Sequence, residues 1–394
     1  MDSENLPVEW DREAKRRVLQ ALGGDERAVE EVLSHGAPPF SWKALPSVLA
    51  FPLPDEGHVS DWRGYAAEQR GDPFGFLQEC FPQLRIPVQA GVSKTSAYAE
   101  AVRRGNPASH PLSGGPRLVH PEGFRMMVHE HPAGALPVIV TSSREDFEML
   151  VHVLACRNEP VPVHPSLNGQ FISGLINWQR VRRYERQWRR DHAPAGDLEW
   201  GREMARVSQV EKWRFYDRLV LLGVSPYSRV PARALGLDWD EARWQERSMA
   251  LRLEHEFTHY TLLRLFGRTE QGLHDEIISD WAGITSAMGD FKASWLLTFL
   301  GLGQWPTIAE EGRLHVYSGS LSSDGLRLLG ALLVEAALGL EALHRDHYDP
   351  SKRQIFLLAL TQLCLETLAG KERRRTFSRA LKKAERRLRM DRSR

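Results

Sequence analysis

The sequence predicts an α+β protein: mixed strand and helix over residues 1–237, then a mainly helical C-terminal half. Three observations carry this. From position 238 onward, Leu- and Ala-rich runs at helical spacing are broken at single glycines rather than at strand-like turns. Residues 124–131 and 136–142 alternate around Pro-Ala-Gly-Ala, the pattern of a β-hairpin. A Pro/Gly-rich break at 105–116 and a three-proline loop at 158–165 punctuate the first part.

Taken in order, residues 12–22 and 61–70 read as short helices within a mixed N-terminal region, 1–115, of no assigned role. The hairpin opens a second region, 116–237. Ser143 and Asp146 there form a capping pair that starts a helix over 147–157. Asn168-Gly169 reads as a tight turn in preference to a substrate loop, and a helical run rich in Trp and Arg follows. Residues 219–224 read as a strand at a sheet edge beside the next helix, open to an extended peptide. In the third region, 238–370, Asp238 reads as an N-cap with Glu241 three residues on, and Gly267 as the stop. A short connection at 267–272 makes the next helix, 273–288, an antiparallel neighbour closed by Gly289. Further helices are expected at 326–344 and 354–368.

Composition sets outer limits. Charged residues make up 26% of 394 and hydrophobic residues 42%, as in soluble globular proteins. The N-terminus is polar and mixed in charge, no run of 18 apolar residues occurs, and the three cysteines are widely scattered. These features argue against a secretory signal, a membrane span and a disulfide framework, and point to the cytoplasm. The near-neutral total of +1 hides a basic tail, 371–394, with twelve Lys or Arg against three acidic residues. Either it is an arm for nucleic acid or an acidic partner, or it is a terminal helix whose basic face docks or stays solvated.

The chemistry concentrates in His255-Glu256-Phe257-Thr258-His259 and in Glu276 and Asp280. The first string is HExxH. Residues i and i+4 share a helix face, so both imidazoles can reach one metal ion. Glu256, about 100° round the same helix, can take a proton from a water on that ion. His259 lies about two turns before the connection and Glu276 about one turn after it, so one ion can bridge the two helices.

HEFTH followed by Glu276-Ile-Ile-Ser-Asp280 resembles the gluzincin, or thermolysin-like, zinc metallopeptidases over residues 238–290. The chain as a whole resembles an uncharacterised bacterial family that carries this motif. The gluzincin resemblance implies Zn2+ held by His255, His259 and Glu276, with Glu256 as general base. It also implies that Asp280 orients His255, a role that fits the habit of metal-bound imidazoles of donating to a carboxylate. A metzincin would need a glycine and a histidine where Leu262 and Leu265 stand. A deformylase would need a cysteine ligand in a turn unlike the settings of Cys80 and Cys156.

The implied activity is hydrolysis of a peptide or protein by metal-activated water. His315 and Tyr317, after the loop at 307–312, are candidate substrate or oxyanion donors. Two alternatives stand beside it. One is a binding or regulatory protein that keeps the gluzincin-like fold; it is favoured because no downstream proton-donor histidine string is found. The other is a di-iron carboxylate protein built from two ExxH strings, Glu256 to His259 and Glu341 to His344. His129 and His131, alternating on one strand face, offer two ligands without a third nearby.

Overall fold

The computed structural model describes residues 12–36, 39–67, 72–106, 114–211, 213–267 and 272–388. The fold is α+β: the described residues contain one four-stranded mixed sheet, and the C-terminal half is helical. The chain divides into two compact units. Met1–Pro52, His164–Ser166 and Ser225–Arg394 form the first, and Leu53–Val163 with Leu167–Val224 form the second. The bounds therefore fall elsewhere than at 115 and 237. The break at 105–116 lies inside the second unit, with 107–113 outside the described residues.

The second unit is built on β1 (Arg125–His129), β2 (Leu136–Thr141), β3 (Gly169–Ile176) and β4 (Tyr216–Gly223), in the order β1-β2-β4-β3. β1 and β2 form the expected antiparallel hairpin. β2 and β4 are parallel, and the chain between them supplies the helix Arg144–Leu154 and β3. Ser143 caps that helix by accepting from the Asp146 amide at 3.1 Å, so the helix starts three residues earlier than the sequence suggests. Phe147, Leu150 and Leu154 from this helix meet Ile139, Ile172, Leu219 and Leu221 in one apolar core.

Two expectations fail in this unit. The strand at 219–224 is an interior one, paired on both sides, so it offers no free edge to a peptide. Its unbroken apolar run is what burial on both faces demands. Asn168-Gly169 is not a turn: Gly169 begins β3, and the Asn168 carbonyl accepts from the Gly223 amide at 2.8 Å. β3 lacks a strand signature in the sequence because Gly174, at φ 80°, marks a bulge that breaks its alternation.

In the first unit no strand occurs among the described residues. Its two N-terminal helices, Arg12–Ala21 and Glu26–His35, are part of the helical body. Glu31 accepts from the amide and hydroxyl of Ser322 (3.0 and 2.6 Å), the N-cap of the long helix Ser323–His347. The stretch expected as one helix over 354–368 is two, Arg353–Leu360 and Leu365–Ala369. Between them Thr361 donates to the Leu358 carbonyl and accepts from the Trp42 indole.

The basic tail is largely a docked helix, Arg373–Arg387, with residues 389–394 outside the described set. Its apolar side buries Phe377, Ala380 and Ala384, and the Phe377 ring lies 4.8 Å from that of Phe356. Lys383 and Arg387 lie over the Trp42 ring, and Arg387 donates to the carbonyls of Leu45 and Pro46. No helix among the described residues is long and apolar enough to cross a membrane.

Candidate metal centre

The metal helix runs from Glu241 to Phe266, capped by Asp240, which accepts from the Arg243 amide at 2.8 Å. The cap is thus Asp240 and not Asp238. Gly267, at φ 71°, ends the helix in the left-handed conformation that favours glycine. The glutamate helix spans Leu273–Met288 and ends at Gly289, as the sequence indicates; of the connection, 268–271 lie outside the described residues. Contacts between the helices run in opposite order along the two chain segments. Glu276 meets His259, Asp280 meets His255, and Gly283 meets Leu251, which makes the pair antiparallel.

This pairing gathers His255, His259 and Glu276 into a buried group whose ligand atoms all lie within 4.8 Å of one another. The two imidazole Nε2 atoms are 3.1 Å apart. Glu276 Oε2 is 3.4 Å from His255 Nε2, and Glu276 Oε1 is 3.5 Å from His259 Nε2. Two ring nitrogens and two carboxylate oxygens converge on one point, a donor set that suits a divalent cation. The group could hold a metal ion.

The electrostatics agree. Burial alone would lower the His255 pKa, but hydrogen bonds to Asp280 and Glu276 and their charges raise it to about 10. A proton there supplies positive charge that a metal ion would supply instead. Burial would raise the Glu276 carboxyl, yet both imidazoles hold it well below its ordinary value. Asp280 stands behind His255 as expected: His255 Nδ1 donates to Asp280 Oδ1 at 2.9 Å. Its pKa is lowered against the effect of burial, chiefly by the charge of Arg313 and the bond from His255.

The remaining candidates separate. Tyr317 joins the group, donating to Glu276 Oε2 at 2.8 Å. Burial and the Glu276 charge push its phenol well above the ordinary value, so it stays an O–H donor. His315, on the same helical turn Leu314–Tyr317, is exposed, and no hydrogen bond or ion pair joins its ring to the group. Glu256 is buried one position beyond His255, on the metal helix.

The second ExxH string is engaged elsewhere. Glu341 accepts from the Ala293 amide at 3.1 Å, and His344 Nδ1 accepts from the Trp281 indole at 3.1 Å. Among the described residues only His255, His259 and Glu276 form a metal-ligand cluster, so neither the di-iron arrangement nor a site at His129 and His131 is present there.

Three residues at the centre are not evident from the sequence. Tyr227 and Arg313 both reach Asp280, and Arg252 is buried four residues before Glu256 on the metal helix. Burial lowers the Arg252 pKa to about 10 against the charges of Tyr227 and Glu256. Arg252 alone carries a local signal, the i,i+4 spacing to Glu256. The other two arrive from distant turns.

The sequence pattern of one family matches residues 17–372. The chain belongs to DUF7005, a family of unknown function. No curated protein and no solved structure matches it. In this DUF7005 member the matched span contains both helices of the metal centre together with Tyr227, Arg313 and Tyr317.

Proposed function

We propose that the chain is a zinc-dependent hydrolase of amide bonds in peptides or proteins, akin in its centre to the gluzincin peptidases. The observation that carries this reading is the buried His255–His259–Glu276 group with Asp280 hydrogen-bonded behind His255. His255 Nε2, His259 Nε2 and a Glu276 oxygen would hold the ion. When bound, zinc lowers the pKa of a water to about 7 and polarises a carbonyl.

The chain's own groups do the rest. Glu256, one residue from a ligand and buried with it, accepts the proton of the attacking water and returns it to the departing amine nitrogen. Tyr317, kept protonated, offers its O–H to the negative charge that develops on the carbonyl oxygen. Asp280 holds His255 in the tautomer whose Nε2 lone pair faces the ion.

The experiment is metal analysis joined to a peptide-library digestion. The wild-type chain is expected to carry about one zinc per chain and to cleave a subset of peptides. Glu256→Gln keeps shape and metal but is expected to cost several orders of magnitude in turnover, about 1,000-fold or more. Equal cleavage by both forms would show that Glu256 is not the general base. A zinc-loaded wild type that cleaves nothing favours a binding protein that retains the centre.

A further inference from the structure

Behind the three candidate ligands lies a second layer that the motif does not describe. The Asp280 carboxylate is fully buried and receives three donors. The Tyr227 hydroxyl donates to Oδ1 at 2.6 Å, His255 Nδ1 donates to the same oxygen at 2.9 Å, and Arg313 donates to Oδ2. Arg313 also donates to the Tyr227 hydroxyl at 3.0 Å and to the Ser228 hydroxyl at 3.2 Å. Asp280, Tyr227 and Arg313 thus close a ring of hydrogen bonds on the far side of His255 from its Nε2.

The fold goes to some length to place both outer members. Tyr227 sits in a 3-10 turn whose next two residues, Ser228 and Arg229, have φ of 50° and 59°. Left-handed backbone is disfavoured at a residue other than glycine, so the turn is held against a local preference. Ser248 accepts from the Tyr227 amide at 3.0 Å, and the Tyr227 ring packs edge-on against Phe299 at 4.9 Å. Arg313 ends a loop that folds back where Gly301 meets Gly312: a Cβ on Gly301 would lie 2.6 Å from the Gly312 Cα. Only residues without side chains allow that return.

We infer that Tyr227 and Arg313 are positioning residues for the metal centre, acting through Asp280 on the rotation and tautomer of His255. Asp280 alone can rotate about its side-chain bonds and accept from His255 in several poses. With Oδ1 fixed by Tyr227 and Oδ2 by Arg313, one pose remains, and the His255 ring is set with it. With an ion in place Nδ1 would keep the proton, and Nε2 would be left to face the ion on the side where Glu276 and His259 converge. His259 has no such support among the described residues, where its buried Nδ1 meets no hydrogen-bond partner. The centre therefore has one imidazole held from behind at Nδ1 and one that, among the described residues, is engaged only at Nε2. The inference rests on the metal-centre reading and deepens it.

The test uses the full chain stripped of metal, titrated with zinc against a chelator of known affinity, and separately with Co2+ while its visible bands are recorded. Tyr227→Phe removes one donor to Asp280 and keeps the ring; Arg313→Lys keeps the charge but loses the fork, and Arg313→Gln loses both. Tyr227→Phe and Arg313→Gln are expected to weaken zinc by about 10- to 100-fold and to change the shape of the Co2+ bands. Arg313→Lys is expected to recover part of what Arg313→Gln loses. A role confined to packing would lower the melting temperature and leave the Co2+ bands of the folded fraction unchanged.

Zinc affinities equal to wild type and superimposable Co2+ spectra overturn the inference. If Tyr227→Phe does not fold, Ser228→Ala carries the test, since it removes only one acceptor from Arg313; a few-fold loss of zinc affinity supports the inference and no loss overturns it. A wild-type chain that binds neither ion removes the metal centre itself, and both readings with it. A chain that binds zinc but cleaves no peptide leaves the positioning role standing, because neither readout depends on turnover.

Discussion

Gly283 and Leu251 set the distance between the two helices of the centre: a Cβ on Gly283 would lie 2.6 Å from the Leu251 carbonyl oxygen. No side chain fits in that gap. Gly283 is seven residues beyond Glu276 and Leu251 four before His255, so this contact fixes how close the third ligand comes to the imidazoles. Gly283→Ala must push the helices apart or distort the metal helix. It is expected to destabilise the chain by about 1–3 kcal/mol, as overpacking does, and to weaken metal binding at the same time. Urea unfolding and zinc titration of the same preparation check it. A stable variant with wild-type affinity would show that the contact gives way freely.

Tyr317 gives the second prediction. Its hydroxyl donates to Glu276 Oε2 at 2.8 Å, so it can serve the ligand, the substrate, or both. If it meets charge on the substrate oxygen, Tyr317→Phe is expected to lower kcat by about 100-fold with KM little changed. If it only orients Glu276, the loss appears in zinc affinity, and kcat at saturating zinc is retained. Steady-state rates measured across a zinc series separate the two.

How much of this is legible in the sequence depends on how far apart the cooperating residues lie in the chain. His255, His259, Glu276 and Asp280 can be read because helical periodicity fixes their relative positions within one short helix pair. Gly267, Gly289 and the hairpin are legible for the same local reason. Tyr227 and Arg313 are not, since a turn and a distant loop meet only through tertiary packing. Nor can Glu31 be paired with Ser322 from sequence, and without that bond the N-terminal helices look like part of a separate region. β3 is hidden by its own glycines, whose bulge erases the alternation that marks a strand.

The docked terminal helix yields a stability prediction. Phe377 is fully buried and packs near Phe356, so of the two readings of the basic tail the docked helix is the one found, held by a large apolar anchor. Phe377→Ala is expected to cost about 3–5 kcal/mol, the range for emptying a buried aromatic site. Replacing the exposed Arg379 with Ala is expected to change stability by less than about 0.5 kcal/mol. Chemical denaturation of the two variants should differ accordingly. Equal and small effects would mean that the helix detaches readily.

A pH effect is expected in the second unit, away from the metal centre. His58 is buried beside β4, with Nε2 3.0 Å from the Arg218 carbonyl oxygen. Burial lowers its pKa below the ordinary 6.5; the charges of Asp217 and Glu56 oppose that, and Arg180 adds to it. Asp217 is itself engaged by the Trp62 indole, Asn177 and Arg180 at 2.6–2.8 Å, so its charge is shared and does not rescue a protonated His58. The sign follows from linkage. With the folded pKa below the unfolded one, the unfolded chain binds more protons between the two values, and stability falls as pH drops through that interval. Above 6.5 both states hold a neutral ring and His58 contributes no slope. Below the folded value both are charged and the loss levels off. Unfolding measured from about pH 8 to about pH 5 should show a component of acid sensitivity beginning near 6.5 that disappears in His58→Gln. Glutamine keeps an N–H for the Arg218 carbonyl and cannot be protonated in that range. An unchanged pH profile in His58→Gln would assign the acid sensitivity to other groups.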